Sequence, residues 1–274
     1  MTHNTTHNWT GSLCFDERDT LNLGTFVPTH GWNHIKVFVK TRNGAADGYH
    51  VNDTLKISWY SCDSLLRGDY TVGGSNPDFA DMREVRDNLE YCELGGPVRF
   101  HLRPGTYQDC YFRQRYSGQS DVNTITFIGD SRDNVIVTAN VPDTSATVYQ
   151  GALTLINVEN LHFQNMTFQG RQQASSRAVV FRGNGSRDIT FDNCKMVAYP
   201  TNTTATTSYA VGRETSSTTK PDTVVFRNCI MEGGNFGVYY VGNTQSGNNR
   251  RQNSLTIENC RISSCYRGII PCRW

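Results

Sequence analysis

The chain has 274 residues and nearly balanced charge, with 26 Lys and Arg against 25 Asp and Glu, so its formal net charge is +1. No run of five or more like charges occurs, which argues against a nucleic-acid-binding arm and against a polybasic membrane-binding patch. No stretch approaches the roughly 18 consecutive apolar residues that a membrane-spanning helix needs. We therefore expect no nucleic acid partner and no membrane insertion.

Thr, Asn, Ser and Gly are abundant between the apolar segments, a composition typical of secreted surface proteins. The N-terminal sequence MTHNTTHNWTG has neither the basic nor the apolar part of a signal peptide. We therefore expect a piece of a longer secreted or cell-surface protein, in which Met1 is an accidental start.

Residues 1–66 contain three segments whose apolar and polar residues alternate as in β-strands: LNLGTF, HIKVFVKT and DTLKISWY. The turn-rich stretch RNGAADGYHVN joins the second segment to the third. We predict a partial β-sandwich over residues 1–66 that lacks its first strands, because a complete sandwich of about 100 residues would not fit.

The stretch NPDFADMREVRDNLEYC, residues 76–92, has apolar residues at nearly helical spacing and begins with Asn-Pro. We predict a short helix here that caps the open end of the domain that follows. The next stretch, GGPVRFHLRPGTYQDCYF, indicates a strand, a Pro-Gly turn and a second strand, and NTITFIGDSRDNVIVTAN adds the next coil.

One motif then recurs, as DITFDNCKM, VVFRNCIM and LTIENCRI, with FQNMTF as an earlier variant. Its asparagines are 28, 35 and 31 residues apart: Asn165, Asn193, Asn228 and Asn259. An irregular period of about 30 residues is typical of a solenoid. Because the apolar residues within each copy are two apart, the repeats are built of strands and not of helices.

The asparagine interrupts the alternation in every copy, so it turns the chain without a loop. Such a residue adopts the left-handed conformation, which Asn enters more easily than most other non-glycine residues. We therefore predict an all-β fold, a right-handed parallel β-helix over residues 67–274, with the asparagines stacked in a ladder. Each amide should bond to the next coil.

Nine cysteines are an odd number, and none forms a CxxC pair, so a structural zinc site is not expected. Cys194, Cys229 and Cys260 each follow a ladder asparagine and should point inward. We predict a buried stack of small apolar side chains. A disulfide or a reactive thiol are the alternatives, and thiols about 4.8 Å apart on adjacent strands have poor disulfide geometry.

A third strand per coil is indicated by AVVFR, YAVGR, GVYYV and RGII, which recur at matching places. The loops around them, PTNTTATTS, TSSTTKP and NTQSGNNRRQN, differ in length. In solenoids such loops project from one side, where binding usually occurs.

The order PDFADMREV, GGPVRFHLRPGTY, TITFIGD and VIVTAN resembles the N-terminal half of pectin-lyase-like β-helix proteins, pectin methylesterases included. It resembles more closely the β-helix modules of large secreted bacterial surface proteins, in which a C-terminal sorting domain commonly directs export. NGAADGYHVNDTLKI resembles the last strands of an immunoglobulin-like adhesion module of the same proteins. The β-helix resemblance covers about residues 69–274 and implies the fold more than the activity.

The resemblance also implies where an esterase would carry its catalytic groups. A pectin methylesterase would have a Gln-Asp-Thr motif where KMVAYPTNT stands and a second aspartate where DTVVFRN stands. Tyr199, Pro200 and Thr201 occupy the first place, and Phe226 and Arg227 occupy the second. Because the nucleophile and the acid/base are both missing, we expect no catalytic residues.

Other chemistries lack their residues too. A hydrolase needs carboxylates within roughly 5 to 9.5 Å on one face, and the third-strand segments offer only Glu214. We interpret Asp188, Asp192, Asp222 and Glu258 as solvated charges. No HxH or HExxH motif and no aspartate cluster occurs, so neither a metal nor a cofactor is expected.

Tyrosines are the best candidates for binding. Tyr239 and Tyr240 lie on a third strand beside the variable loops, with Tyr209, Tyr199 and Tyr266 on neighbouring coils. Sugar rings stack on exposed aromatic faces, and one member of each adjacent pair should point inward. The sequence favours a non-catalytic module for adhesion or for binding a polysaccharide or cell-surface glycan. The alternatives are a fragment of a polysaccharide-active enzyme and a rigid structural spacer.

Overall fold

The structure is a computed structural model. It describes residues 4–41, 45, 54–108, 110–139, 151–172, 176–183, 185–201, 204–205, 207–213, 222–240 and 254–270. The chain divides into two compact units, residues 1–63 and 64–274.

Unit 1 contains an antiparallel pair of strands, β1 (Gly31–Phe38) and β2 (Thr54–Ser61). The predicted strand LNLGTF is wrong, since the backbone of residues 21–26 joins no sheet. An extended segment becomes a strand only when a neighbour takes its backbone hydrogen bonds, and residues 21–26 have no such neighbour in the described chain. The immunoglobulin-like module stays a prediction.

Unit 2 is nearly all strand, with a single helix among the described residues. Its elements in chain order are β3 (Leu66–Val72), α1 (Met82–Tyr91), β4 (Leu94–Leu102), β5 (Gly105–Tyr107), β6 (Cys110–Phe112), β7 (Ile125–Gly129), β8 (Val135–Thr138), β9 (Leu153–Ile156), β10 (Glu159–Gln164), β11 (Thr167–Gln169), β12 (Arg177–Arg182), β13 (Arg187–Asp192), β14 (Lys195–Thr201), β15 (Tyr209–Arg213), β16 (Asp222–Arg227), β17 (Ile230–Gly234), β18 (Phe236–Tyr239), β19 (Leu255–Glu258), β20 (Arg261–Ser263) and β21 (Arg267–Ile270).

These strands form three parallel sheets that the chain visits in turn. Sheet A is β3-β4-β7-β10-β13-β16-β19, sheet B is β5-β8-β11-β14-β17-β20, and sheet C is β6-β9-β12-β15-β18-β21. Every strand pairs with its equivalents one coil before and one coil after, except the first and last strands of each sheet, which have one such neighbour. This confirms the predicted parallel β-helix, with the motif strands in sheets A and B and the third strands in sheet C.

Helix α1 covers the first coil, packing against β3 and β6. It begins at Met82 and not in the predicted Asn-Pro segment, because the Asp81 carboxylate accepts from the backbone N–H groups of Arg83 and Glu84, at 3.0 Å each. Phe79, which forms a β-bridge with Val72 just before the helix, is buried against Phe100 with ring centroids 5.6 Å apart.

A column of phenylalanines runs through the core. Phe163, Phe191 and Phe226 stack with centroid distances of 5.1 and 4.8 Å, and Ile257 pairs with Phe226 in the next coil. These residues form an inward column, which extends backwards through Phe127 and Phe100. Parallel stacked rings are the geometry that equivalent positions on neighbouring coils impose.

The four motif asparagines all have left-handed backbones, with φ of 55°, 49°, 55° and 51°. Asn193 donates from its amide to Asn165 Oδ1 at 2.9 Å, as a ladder requires. Asn228 instead donates to the Asp192 carboxylate at 2.8 Å. Both amides therefore bond to a neighbouring coil, and Asn228 uses the Asp192 carboxylate in place of an asparagine because a carboxylate is the stronger acceptor.

The motif cysteines also follow a common geometry. The Cys194 thiol lies 3.4 Å from the Phe163 carbonyl oxygen one coil before, Cys229 lies 3.5 Å from that of Phe191, and Cys260 lies 3.5 Å from that of Phe226. Each thiol thus donates weakly to a carbonyl at the corner, which Ala or Val cannot do. Burial raises the pKa of the Cys194 thiol, so it is held in the neutral form.

A second column of left-handed residues, not anticipated from the sequence, occupies the other end of sheet A. Asn160, Asp188 and Thr223 have φ of 51°, 54° and 51° at equivalent places in β10, β13 and β16. Thr223 is the unusual member, since a β-branched residue in this region is strained.

We expect Asn228→Leu to lower the free energy of unfolding by about 1 to 3 kcal/mol, because a branched residue strains the left-handed turn and the bond to Asp192 is lost. Cys229→Ala should cost less than about 1.5 kcal/mol, since the thiol mainly packs. Urea unfolding of both variants measures the order. A larger loss for Cys229→Ala would contradict the structural role of this thiol.

Thr223→Asn should stabilise the chain by roughly 1 kcal/mol, because Asn tolerates the left-handed backbone that strains a β-branched residue. The matched control is Thr256→Asn on β19, where the threonine is exposed and the backbone is not left-handed. Thermal unfolding should show a higher midpoint for the first variant and not for the second. Equal shifts would mean that the backbone at Thr223 is not strained.

Candidate functional site

The outer face of sheet C is the candidate site, because it carries large side chains outside the solenoid core. Tyr209 and Phe236 are paired at the start of β15 and β18, and Tyr239 pairs with Gly212 further along. Together with Val180 these aromatic residues form a small cluster, which we call the outer cluster. The outer face of a solenoid sheet is ordinarily polar, so the apolar side chains on this face need a physical explanation.

Ring geometry within the outer cluster is close. Tyr209 and Tyr239 stack with centroids 6.1 Å apart and planes 18° apart, and Phe236 lies 4.6 Å from Tyr239. Gly212 makes room for this arrangement, since a Cβ there would stand 2.5 Å from the Tyr209 ring. A glycine in YAVGR thus lets the tyrosine that precedes it fold over the strand.

Arginines flank the rings at both ends of the same column. The pairing order along the solenoid is Arg177, Tyr209, Phe236 and Arg267. The Arg177 guanidinium lies 5.5 Å from the Tyr209 centroid and that of Arg267 lies 5.8 Å from the Phe236 centroid, both within cation–π range. Two aromatic rings in this column are therefore flanked by one guanidinium group on each side.

Three polar atoms at this face are buried without a hydrogen-bond partner in the described chain: Arg177 Nη1, Ser176 Oγ and Thr154 Oγ1. Arg177 Nε, by contrast, donates to the Thr207 carbonyl oxygen at 3.1 Å. Thr154 pairs with Val180 of the outer cluster and is 0% exposed. Buried donors of this kind are costly unless a water or a ligand atom supplies the missing bond.

The described strands of this face have basic but no acidic residues. The six strands of sheet C contain no Asp or Glu, while β12 and β21 contribute arginines. Glu214, the candidate carboxylate from the sequence, lies outside the described residues, as do the loops TSSTTKP and NTQSGNNRRQN. Within the described ranges no group of three or more His, Cys, Asp or Glu is placed to hold a metal ion.

The structure separates the predicted tyrosines. Tyr239 is half-buried on the outer face, and Tyr209 stacks on it but is only 3% exposed. Tyr240 is 2% exposed and packs inward, 6.5 Å from the Phe181 centroid, so it leaves the candidate site. Tyr199 lies on β14 of sheet B, where its carbonyl accepts from Ser208 Oγ at 2.9 Å.

Phe236, Arg177 and Arg267 were not singled out from the sequence. What these three residues share is their position, because each is the first residue of a strand of sheet C. The repeat alignment could have shown this column if the strand starts had been aligned and not only the NC motifs.

The esterase positions do not meet at this face. Tyr199, Pro200 and Thr201 end β14 in sheet B, while Phe226 points into the core of sheet A. Arg227 points outward and forms an ion pair with Glu258, 3.2 Å between Nε and Oε2. This exposed pair links neighbouring coils and has no catalytic geometry.

Among the described residues, Glu159 is the most buried carboxylate that forms ion pairs, with a side chain 8% exposed. Its Oε2 lies 2.7 Å from Arg187 Nε, and its Oε1 lies 2.6 Å from Arg115 Nε although not along a hydrogen-bond direction. A carboxylate held between two cations at the entry to sheet A serves structure, because nothing else reactive faces it in these contacts.

No family model and no curated protein matches this chain. Among solved structures it is similar to a pectin methylesterase in complex with a hexasaccharide, at 12% identity, covering 73% of this chain and 66% of that one, with a TM-score of 0.39. Pectin methylesterase PemA from Erwinia chrysanthemi shows 12% identity, coverage of 75% and 67%, and a TM-score of 0.37.

The pectin methylesterase from Aspergillus niger, in deglycosylated form, shows 13% identity, coverage of 76% and 91%, and a TM-score of 0.33. The chain thus spans about two thirds of the first two neighbours. Likeness at this identity concerns the fold alone. No helix among the described residues is long and apolar enough to cross a membrane.

His162, half-buried on the outer face of sheet A, makes stability depend on pH. Burial lowers its pKa from 6.5, while the Asp188 carboxylate opposes the shift. The unfolded imidazole therefore binds a proton more readily than the folded one. The stability that this histidine contributes is complete above about pH 6.5 and is lost as the pH falls from there to the folded pKa.

We expect His162→Gln to lose less stability than the unaltered chain between about pH 7.5 and about pH 5. Urea unfolding at the two pH values gives the difference, and the exposed His7→Gln serves as control. Parallel losses in all three proteins would contradict the effect of burial at His162.

Proposed function

We propose that unit 2 is a non-catalytic, carbohydrate-binding β-helix of a secreted or cell-surface protein, and that a glycan contacts the outer face of sheet C at Tyr239. The observation that carries the proposal is the outer cluster with its flanking arginines. Sugars present flat apolar faces to aromatic rings and hydroxyl groups to polar side chains, and this face offers both.

Tyr239 is the accessible ring of the outer cluster. Tyr209 and Phe236 are each 3% exposed, so they support Tyr239 from below and beside it and do not offer faces of their own. A ring held by two others loses little conformational freedom when a ligand stacks on it. The cluster thus works as a rigid platform with one exposed contact.

The flanking groups extend the platform along the solenoid. Arg177 and Arg267 are three coils apart, which corresponds to about 14 Å at the spacing of paired strands. Arg177 Nη1 has a hydrogen bond still to make, whereas the Thr154 hydroxyl is fully buried and is not presented to a ligand. An oligosaccharide lying along the axis would meet a ring in the middle and a guanidinium at each end.

The non-catalytic part of the proposal is supported by the missing carboxylates. Glycoside hydrolysis uses two carboxyl groups flanking the scissile bond, and ester hydrolysis needs a nucleophile with a base. Sheet C has neither on its described strands. Arginines and tyrosines bind and orient, but they do not replace these groups.

An extracellular location is supported by the cysteines. Cys62 and Cys92 are disulfide-bonded, and disulfides persist mainly in oxidising compartments. The loop composition noted in the sequence points the same way.

Tyr239→Ala should weaken glycan binding at least about tenfold, because the exposed ring is lost, while Tyr239→Phe should retain most of it. A glycan array first identifies a ligand, and calorimetry then compares the variants. The matched control is Tyr91→Ala, which removes an exposed tyrosine from the end of α1, far along the sequence from Tyr239.

Equal binding by Tyr239→Ala and the unaltered chain would remove Tyr239 from the site. Binding to no glycan at all would favour the rigid spacer. Turnover of any uronic-acid polymer by the purified chain would overturn the non-catalytic assignment itself.

A further inference from the structure

The β1–β2 sheet of unit 1 has two chemically different faces. Pairing places Ile35 opposite Ile57 and Val37 opposite Leu55, so one face is aliphatic. The other face, which we call the basic-aromatic face, contains residues from both strands: Trp32, His34, Lys36, Phe38, Lys56, Ser58 and Tyr60. A face built of rings and cations is adapted to a different partner from an aliphatic one.

Rings occupy both ends of the basic-aromatic face. Trp32 and Tyr60 meet edge to face with centroids 5.6 Å apart, and Trp32 remains 44% exposed. Phe38 is 56% exposed at the other end, with Lys36 Nζ 5.0 Å from its centroid. Between them His34 Nδ1 lies 2.8 Å from Ser58 Oγ, which fixes that ring beside Trp32.

Lys36 stands directly opposite Lys56 in the middle of this face. Like charges at opposite positions of an antiparallel pair are destabilising, and neither strand contains an Asp or Glu to offset them. An arrangement that costs stability and leaves both ammonium groups exposed is suited to an anionic group placed between them.

We propose that the basic-aromatic face is a second, separate binding surface, and that its partner is an acidic polysaccharide. One sugar ring stacks on Trp32, and a carboxylate or sulfate group lies between Lys36 and Lys56, about 13 Å further along the strands at four residues' distance. This surface lies in unit 1, so it does not depend on the outer cluster of sheet C.

The geometry favours a glycan over other anionic partners. Single-stranded nucleic acid carries one charge per nucleotide and is bound by cations spaced along its backbone. Lys36 and Lys56 instead lie opposite each other at one position along the strands. Membrane-surface binding uses apolar side chains that reach a common depth with cations around them. Here the cations lie between the rings, so the rings cannot enter a bilayer without burying both charges.

The test uses the full chain and two polymers with the same backbone, dextran sulfate and dextran. Dextran sulfate should bind and dextran should bind at least about tenfold more weakly, because only the first has anionic groups. Lys36→Gln/Lys56→Gln should reduce dextran sulfate binding about tenfold or more. It should not lower the unfolding midpoint, since a repulsive pair is removed.

A control variant with the same charge change, Arg67→Gln/Arg83→Gln, alters two exposed arginines of unit 2 and should bind dextran sulfate nearly as the unaltered chain does. A local readout comes from the indole N–H resonance of Trp32, assigned through Trp32→Phe, which should shift on titration. Tyr239→Ala should leave that shift unchanged, which separates this surface from the proposed site on sheet C.

Equal loss in both double variants would show unspecific charge attraction and overturn the proposal. So would an unmoved Trp32 resonance, or tighter binding of a thymidine oligonucleotide or of phosphatidylserine vesicles than of dextran sulfate.

Discussion

Everything in unit 2 depends on a backbone constraint: a chain that coils with a strand spacing of about 4.8 Å must turn at each corner without losing its inter-coil hydrogen bonds. The left-handed asparagines meet this constraint. Asn165, Asn193 and Asn228 each donate their backbone N–H to the carbonyl of the residue that precedes the equivalent asparagine one coil later, at 3.2, 3.0 and 3.0 Å. The turn therefore bends the chain and continues the ladder at the same residue.

Fixed corners make the register exact from coil to coil, and the register in turn decides what each side chain touches. Phenylalanine meets phenylalanine inside because both stand at one offset from the turn. Outside, the same offset places Tyr209 over Phe236 and arginines beyond them. A surface feature of the solenoid is therefore a column across several coils, assembled from segments about 30 residues apart.

Sequence reasoning predicted those parts of the fold that one residue type encodes repeatedly. The alternation of apolar and polar residues and the recurring Asn-Cys pair were enough to predict the solenoid. The second left-handed column escaped notice because Asn160, Asp188 and Thr223 share a backbone conformation but not a residue type. LNLGTF alternates as a strand should, but alternation cannot supply a pairing partner. In the candidate site, the sequence did not show which of the adjacent residues Tyr239 and Tyr240 points inward. Only the register in the structure shows that it is Tyr240, which faces Phe181.

The outer cluster is also distinct from the folding core in its energetics. The interior already has a continuous column from Phe100 to Phe226, so closing the solenoid does not require rings outside it. An apolar cluster on the outside gains burial only from its own members and from what covers them. Two of its rings are covered and Tyr239 is only half-buried, which leaves one ring with surface still exposed. Because core and cluster share strands but not faces, substitutions at Tyr239 can test the proposed binding without changing the residues that hold the fold.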